Sequence, residues 1–436
     1  MRRLALAATC AWAVCLSSCS RRPEAPASAA AGPTTVTWMV GVRLDRPLLE
    51  ELIGRFERAN PDVRIRVLWV PSTQYQTKLK TLIAADQAPD IFYCGDVWVA
   101  YLLPFLADLT GYFDRDADEM DLEDVYPEIL TACRWNGRYL FVPRWFNISL
   151  LYYNRTLFDR AGEPYPTKDW TWDDYLRAAR KLTRPGPDGK VDTWGSQIVT
   201  GWWGEWLILV RQCGGRLFDE GLSRCMLAEP EAVAGMRFYC DKVHRHRISP
   251  APGFGPDNGF ASGKLAMEFG GHTGNWIIYN QIRGLDWDIE ILPRGPRSRR
   301  GGEIAMDAIG ISRTSRNKNQ AWRFCKFMIS KASIRRHVEA GYLSVRKSVA
   351  RELLLAPGRR KNPRNAQAAY DALRYAQPIP RSPDFIEIAL DVIQPEVDRM
   401  LAERVDPERT CRKAAEAANQ FIETLGSERR ERARAR

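Results

Sequence analysis

The sequence has few of the residues, and none of the short motifs, on which most catalytic and cofactor sites are built. Only four of its 436 residues are histidine. It contains no Gly-x-Ser-x-Gly nucleophile elbow, no His-Glu-x-x-His metal motif and no Gly-x-x-x-x-Gly-Lys-[Ser/Thr] phosphate loop. His244 and His246 stand among arginines, which is a poor setting for a metal ion. We therefore expect no metal, no cofactor and no catalytic residues.

The sequence also lacks any apolar run long enough to cross a bilayer comfortably. The candidate, residues 4–16, follows a basic start and has the length of the apolar part of a signal peptide. The run Leu16-Ser17-Ser18-Cys19 then resembles a bacterial lipobox, in which the cysteine becomes the lipidated first residue. We predict a signal peptide over residues 1–18, a lipid anchor on Cys19 and a tether over residues 19–33. A plain secretory signal with a chance cysteine is the alternative.

Acidic residues are in the minority, which raises the question of a nucleic-acid partner. The chain has 64 Lys and Arg against 53 Asp and Glu, a net charge of +11. The arginines are spread along the chain and are densest at residues 294–300 and 429–436. Neither cluster alternates with aromatic residues, as a groove for a nucleic-acid strand would require. We expect no nucleic-acid partner.

The intervals between the cysteines are too long and irregular for a zinc ribbon. Seven cysteines follow the predicted anchor: Cys94, Cys133, Cys213, Cys225, Cys240, Cys325 and Cys411. One or two disulfides are compatible with an exported protein. Cys213 and Cys225 flank a turn-rich stretch that can fold as a hairpin and bring them together, and the disulfide pairing of all seven cysteines stays open.

The chain does contain a regular alternation of short apolar runs and amphipathic stretches. Strands are predicted at residues 36–40, 63–69 and 91–93, with helices at 45–60 and 72–83 between them. This order is a βαβαβ unit, which predicts an α/β fold with a mostly parallel sheet. Further strands are expected at 149–153 and 306–311, and further helices after a capping box at Thr171 to Asp174, at 231–244, at 319–329 and in most of the chain after 366.

Four segments carry recognisable patterns in a fixed order. They are Ala88-Pro89-Asp90-Ile91 with Leu106-Ala107-Asp108-Leu109-Thr110, then LYYNRTLF at 151–158 with Trp170-Thr171-Trp172, then FASGKLAM at 260–267, and then Gly310-Ile311-Ser312 with Asn317-Lys318. As an ordered set they resemble the sugar-binding group of the extracellular solute-binding proteins of ATP-driven importers, the group that includes maltose-binding protein. The resemblance covers most of residues 34–349.

The resemblance implies two α/β lobes that close on a ligand like a hinged trap. The expected fold is the two-lobed periplasmic-binding-protein fold, type II-like, with a mixed, mostly parallel sheet flanked by helices in each lobe. Lobe one would comprise residues 34–143 and 301–346, and lobe two residues 149–293 and 350–428. The hinge crossings would lie at 143–149 and 293–306.

The carboxyl ends of the predicted strands supply the candidate ligand-binding residues, because ligands of open α/β sheets bind beyond those ends. The candidates are Arg43, Asp96, Trp98, Trp145, Asn147, Trp202, Trp203, Glu205, His272, Asp307 and Tyr342. Aromatic rings cover the flat faces of sugars, and polar side chains bond their hydroxyls. We expect Trp145, Trp202 and Trp203 to stack on the ligand, and Asp96 and Glu205 to bind hydroxyls. The expected core residues are Trp38, Trp69, Trp194 and Trp322.

The predicted function is that of the substrate-binding lipoprotein of an ABC transporter, which captures an extracellular sugar or oligosaccharide and delivers it to membrane permease subunits. Such a protein would be exported, monomeric and lipid-anchored, facing the periplasm or the cell exterior. Two alternatives stay open. One is a glycoside-active enzyme that uses Asp96 and Glu205 as its acid pair. The other is a binding protein for a non-sugar solute such as a polyamine or a glycerol phosphate. Lobes that separate would pull an acid pair apart, so we predict that the protein is not an enzyme.

Overall fold

The computed structural model describes residues 32–42, 45–71, 74–257, 259–297, 300–358 and 361–434. The strands in this part are β1 (Thr34–Val42), β2 (Val63–Pro71), β3 (Ile91–Gly95), β4 (Arg134–Trp135), β5 (Arg138–Tyr139), β6 (Val142–Asn154), β7 (Arg184–Pro185), β8 (Val191–Thr193), β9 (Met267–His272), β10 (Trp287–Glu290) and β11 (Ile304–Ile311).

The α-helices are α1 (Arg46–Ala59), α2 (Tyr75–Ala84), α3 (Asp96–Leu102), α4 (Thr110–Met120), α5 (Pro127–Ala132), α6 (Arg155–Ala161), α7 (Trp172–Leu182), α8 (Gly204–Gln212), α9 (Pro230–His244), α10 (Asn275–Tyr279), α11 (Lys318–Met328), α12 (Lys331–Glu339), α13 (Lys347–Leu353), α14 (Gln367–Asp371), α15 (Gln394–Glu403) and α16 (Pro407–Arg434). Short 3₁₀ turns occupy Leu103–Phe105, Leu122–Asp124, Gly259–Ser262 and Ala372–Tyr375, and Glu387–Ile393 is π-helical.

The predicted order of strands and helices is confirmed by these bounds. Period-two burial in β2 and the apolar stripe of α1 produce the elements that the sequence pattern indicates. The capping box is also present, since the Thr171 hydroxyl and the Asp174 carboxylate each bond the other residue's backbone N–H. The strand predicted at 149–153 is the second half of the longer strand β6.

Strand β6 is shared by two groups of strands. Its first half pairs with β11, and through β11 the sheet continues to β3, β1 and β2. Its second half pairs with β9 and β10. Parallel pairing is confined to β1 with β2 and β3, and the other pairings of this sheet are antiparallel. The sheet is therefore mixed, with fewer parallel pairs than the sequence suggests.

Two clusters of buried side chains make up the core. The first surrounds β1, β3 and β11, where Trp38 packs edge-on against Phe324 at 5.4 Å. The second lies among α7, α8, α9 and the C-terminal helices, around Trp206. Residues of β6 contribute to both, because alternate side chains of a strand point to opposite faces: Tyr152 belongs to the first cluster and Tyr153 to the second. The lobe boundaries given above stay predictions.

The C-terminal third of the chain divides between the two clusters. Tyr370 and Leu373 pack in the first, where Tyr370 stacks on Tyr126 at 4.9 Å. Residues from Ile379 onward pack in the second. The stretch 350–373, which we placed with lobe two, therefore packs in the first cluster, which holds residues expected in lobe one and also some expected in lobe two, such as Trp276 and Trp287. The chain passes from the first cluster to the second again near 374–379.

Two expectations about buried residues need correction. All seven described cysteines are buried and free, so the one or two disulfides that the sequence is compatible with are not formed. The hairpin itself forms, with Phe218 bridged to Cys225. Trp38 and Trp322 are core residues as predicted, whereas Trp69 and Trp194 are only half-buried.

Candidate functional site

Glu303 stands where the chain returns from one core cluster to the other. It directly precedes β11, and its carbonyl accepts a hydrogen bond from the Ser149 amide at 2.9 Å. Ser149 begins the half of β6 that pairs with β9. This backbone bond fixes Glu303 beside the middle of the shared strand. The ends of several elements converge at this point.

The carboxyl group of Glu303 is almost completely removed from water. The residue is 2% exposed, and its Oε2 accepts a hydrogen bond from Trp203 Nε1 at 3.3 Å. Burial raises the pKa of this carboxyl to about 7, against the opposing effects of the Arg211 charge and of the Trp203 bond. A carboxyl group with such a pKa exchanges hydrogen bonds both as donor and as acceptor near neutral pH.

His272 ends β9 and faces the same carboxyl group. Its Nε2 lies 3.7 Å from Glu303 Oε1, and its side chain is 17% exposed. Burial lowers the pKa of the imidazole to about 4, so the ring is neutral at physiological pH. Its Nε2 has no hydrogen-bond partner among the described residues. A buried polar atom without a partner costs free energy until a ligand or water satisfies it.

Trp202 forms an aromatic wall next to His272. Its half-buried ring meets the imidazole edge-on at 5.3 Å. The ring can fold back over the start of α8 because the next residue but one is Gly204. A Cβ at that position would lie 2.5 Å from the Trp202 ring. Glycine is thus required there for the tryptophan to face the site.

Asn147 extends the same wall along β6. It is partly exposed, and its Oδ1 accepts a hydrogen bond from the Thr273 hydroxyl at 3.3 Å. Thr273 directly follows His272 in the chain. The sequence-predicted residues that the structure brings together with a solvent-reachable side chain are therefore Asn147, Trp202 and His272.

Trp203, Trp145 and Tyr342 lie deeper than predicted. Trp203 is 2% exposed and packs edge-on against Phe385 at 4.8 Å. Trp145 is also 2% exposed and stacks on Tyr342, with ring centroids 4.5 Å apart. These rings do not present an open face, because their neighbours already cover them.

Glu205 and Asp307 are engaged in internal ion pairs. The Glu205 carboxylate contacts the Lys242 ammonium, both side chains are fully buried, and the Val199 amide donates to Glu205 at 2.8 Å. Asp307 accepts from Arg144 Nε at 2.7 Å, again with both groups buried. The sequence showed acids near glycines and strand ends but not the distant Lys242 and Arg144 that neutralise them, so the structure places Glu205 and Asp307 in internal ion pairs and not with an open side chain.

Several candidates fall partly or wholly outside the described residues. Arg43 and Cys19 are among them, as are the signal peptide and most of the tether. The side chains of Asp96 and Trp98 also lie outside the described part, although their backbone begins α3 directly after β3 ends. Their position at the carboxyl end of a central strand is the one that the sequence predicts.

Sequence reasoning missed a contact that joins the two core clusters. Glu387 Oε1 accepts a hydrogen bond from Gln76 Nε2 at 3.1 Å and lies 3.4 Å from Lys80 Nζ. Gln76 and Lys80 are on α2, which packs in the first cluster, whereas the turn of helix around Glu387 packs in the second. Glu303 and Phe385 were missed as well. Only Glu303 carried a signal, its position in the predicted second crossing.

The arrangement offers hydrogen bonding and aromatic contact. Within the described ranges, no group of His, Cys, Asp and Glu is placed to hold a metal ion. In the same part of the chain, no helix is long and apolar enough to cross a membrane. A neutral imidazole, an amide, a buried carboxyl and a half-open indole suit a ligand with hydroxyl groups and flat apolar faces.

Comparisons with known proteins identify a family and relatives that this chain resembles. The sequence model of the family described as bacterial extracellular solute-binding protein matches residues 44–334. The maltotriose-binding protein of Pyrococcus abyssi is 21% identical over 346 residues, which are 77% of this chain and 70% of that protein.

Solved structures show the same fold. An ABC substrate-binding protein from Listeria monocytogenes in complex with cycloalternan superposes with a TM-score of 0.75 at 26% identity, covering 89% of this chain and 99% of that one. The sugar-binding protein MalE from Xanthomonas citri gives a TM-score of 0.76 at 20% identity, covering 90% and 98%. The predicted two-lobed α/β fold class is confirmed.

Proposed function

The chain belongs to the bacterial extracellular solute-binding proteins, and from that membership we propose that it is the substrate-binding lipoprotein of an ABC transporter. It captures an extracellular sugar or oligosaccharide between its lobes and delivers it to permease subunits in the membrane. The family is one of binding proteins, and no catalytic step is needed for this role.

The observation that carries the proposal is the unsatisfied Nε2 of His272 beside Glu303. At 3.7 Å the two side chains are too far apart for a direct hydrogen bond. One hydroxyl oxygen to the side of the line that joins these two atoms would lie within hydrogen-bonding distance of both. The half-open ring of Trp202 is close enough to cover the apolar face of the same sugar ring.

The remaining site residues complete the cleft in this proposal. Asn147 bonds a further hydroxyl from the side of β6. Arg43 follows β1 in the sequence, and Asp96 and Trp98 follow β3; in this proposal they bind the ligand beyond the carboxyl ends of these strands, the position that open α/β sheets use for ligands. Relatives whose names state a carbohydrate ligand, cycloalternan and maltotriose, support a sugar over other solutes.

The alternative of a glycoside-active enzyme needs Asp96 and Glu205 as its acid pair, and the position of Glu205 argues against it. A general acid or a nucleophile must be free to reach the glycosidic bond. Glu205 is instead buried against Lys242. The lipid anchor on Cys19 rests on the lipobox-like run of the sequence, and delivery to a permease rests on family membership.

Calorimetric titration of the purified protein with mono- and oligosaccharides, a polyamine and glycerol phosphate tests the proposal. We expect saturable binding to at least one carbohydrate, with the ligand recovered intact after incubation. Binding confined to the polyamine or to glycerol phosphate would overturn the sugar assignment. Continuous release of shortened products that persists after repurification would establish an enzyme.

A further inference from the structure

A groove of about 610 Å³, lined by none of the sugar-site residues named above, lies where the chain passes from the first core cluster to the second near 374–379. One wall comes from α5 and the start of β4, including Arg134 and Trp135. The other comes from the segment 373–381, including Arg374 and Arg381. Ile304, the first residue of β11, forms part of the floor.

The groove carries excess positive charge. Three arginines line it, Arg134, Arg374 and Arg381, and Glu128 is the single acidic residue in its lining. Among the described residues, none of the three guanidinium groups forms an ion pair with a carboxylate. Arginines at many other surface positions do have such a partner, for example Arg335 with Glu352 at 2.6 Å.

Arg381 connects the two walls of the groove. Its guanidinium donates to the backbone carbonyls of Ala132 and Arg134 and lies 5.5 Å from the centre of the Trp135 ring. Burial lowers the pKa of this arginine, since no carboxylate offsets the loss of water. The carbonyl bonds fix the segment 373–381 against α5 and keep the cation at the groove wall.

We propose that this groove binds a small organic polyanion, a compound with two or more carboxylate or phosphate groups. Guanidinium groups bind both kinds of anion through pairs of N–H donors. The indole of Trp135 and the side chains of Ile304 and Leu373 supply apolar contacts for the carbon skeleton. An uncharged sugar would bring no negative charge to the three arginines, so this ligand differs in chemistry from that of the cleft.

The backbone of the groove also belongs to the crossing region. The Gln377 amide donates to the Gly302 carbonyl at 2.9 Å, and the Ile304 amide donates to the Gln377 carbonyl at 3.0 Å. The groove is therefore built on chain segments that run between the two cores. The proposal does not depend on the identity of the cleft ligand.

Titration with citrate and with pyrophosphate at constant ionic strength tests the proposal, and comparing the two separates a carboxylate from a phosphate preference. We expect saturable binding of at least one probe. Arg374→Gln and Arg134→Gln should each weaken it roughly tenfold, because each removes charge-assisted hydrogen bonds. Both positions are exposed, so these variants should fold, as circular dichroism would verify.

Arg58→Gln is the matched control. Arg58 is exposed on α1 and does not line the groove, and its replacement removes the same charge. It should bind the probes as the parent does. The proposal is overturned if neither probe binds saturably. It is also overturned if Arg58→Gln weakens binding as much as Arg374→Gln, since binding would then reflect overall charge.

Discussion

Nε2 of His272 faces Oε1 of Glu303 across 3.7 Å, and burial drives both groups towards their neutral forms. The imidazole pKa falls to about 4 and the carboxyl pKa rises to about 7. A cationic ligand would be bound well only if Glu303 lost its proton, which burial disfavours. An anionic ligand would find no positive charge on the imidazole of His272. A neutral ligand with hydroxyl groups makes neither demand.

The raised pKa of Glu303 predicts a specific pH dependence of stability. Its ordinary value is 4.5, so between pH 4.5 and about 7 the folded protein holds this proton more tightly than the unfolded chain. The contribution of Glu303 to the free energy of unfolding therefore falls as pH rises through that window. His272 has the opposite effect between about pH 4 and pH 6.5, because its folded pKa is lowered.

Glu303→Gln removes the titrating carboxyl group of Glu303. Comparing this variant with the parent therefore separates the pH-dependent contribution of Glu303 to the free energy of unfolding from that of His272. The free energy of unfolding of the variant, minus that of the parent, should increase from pH 4.5 to pH 7.5 by on the order of 1–3 kcal/mol. Urea unfolding at a series of pH values measures it. Glu220→Gln, at a side chain 93% exposed, should show a difference that does not change with pH. A flat difference for Glu303→Gln as well would show that this carboxyl is not desolvated.

His272→Phe tests the unsatisfied nitrogen. The substitution keeps a ring against Trp202 and removes Nε2, so a lost neutral hydrogen bond should weaken sugar binding roughly 3- to 10-fold with little effect on folding. His246→Phe, on a different surface of the protein, is the control and should leave affinity unchanged. Equal affinities for His272→Phe and the parent would remove His272 from the site.

The sequence predicts the fold better than it predicts the site, for a physical reason. Local periodicity specifies β2, α1 and the capping box of α7, because those patterns depend on neighbours within a few residues. The state of Glu205 depends on Lys242, 37 residues away, and that of Asp307 on Arg144, 163 residues away. Such pairings are set by the assembled fold.

The same limit explains the aromatic residues. Gly201 and Gly204 identified Trp202 and Trp203 as loop residues at a strand end, and one of them does face the site. The sequence gives no indication that Phe385, in the tail without family-like segments, covers the ring of Trp203. Phe385, 182 positions after Trp203 in the chain, thus determines that Trp203 is covered while its neighbour Trp202 is not.

The tryptophans separate binding from stability. Trp202→Ala should weaken sugar binding about tenfold or more, because it removes an apolar surface worth on the order of 1.5–3 kcal/mol. Its thermal unfolding should change less than that of a variant at a fully buried tryptophan, since the Trp202 ring is only partly buried.

Trp322→Phe is the complementary variant. Trp322 is buried and donates to Asp116 at 2.6 Å, so its replacement should lower the melting temperature without a comparable loss of affinity. Calorimetric titration and thermal unfolding of both variants make the comparison. If Trp202→Ala binds like the parent, the aromatic wall is misplaced.

The contact between Glu387 and α2 joins an element of the second core cluster to an element of the first. It should therefore stabilise the closed arrangement, in which these two elements touch. Lys80 and Glu387 are 44% and 30% exposed, so the pair contributes only about 0.2–1 kcal/mol. Because it joins elements of different cores, that energy is gained only when they are together. Glu387→Gln and Lys80→Gln should each weaken ligand binding by up to about fivefold and enlarge the particle in small-angle scattering without ligand.

A double-mutant cycle then shows whether the two residues act through each other. Glu387→Gln combined with Lys80→Gln should weaken binding by less than the product of the single effects, because the first substitution already breaks the contact. Glu416→Gln changes the same charge at an exposed position of α16 and should bind and scatter like the parent. Strictly multiplicative effects of the two substitutions, with scattering unchanged in each, would mean that the contact does not contribute to closure.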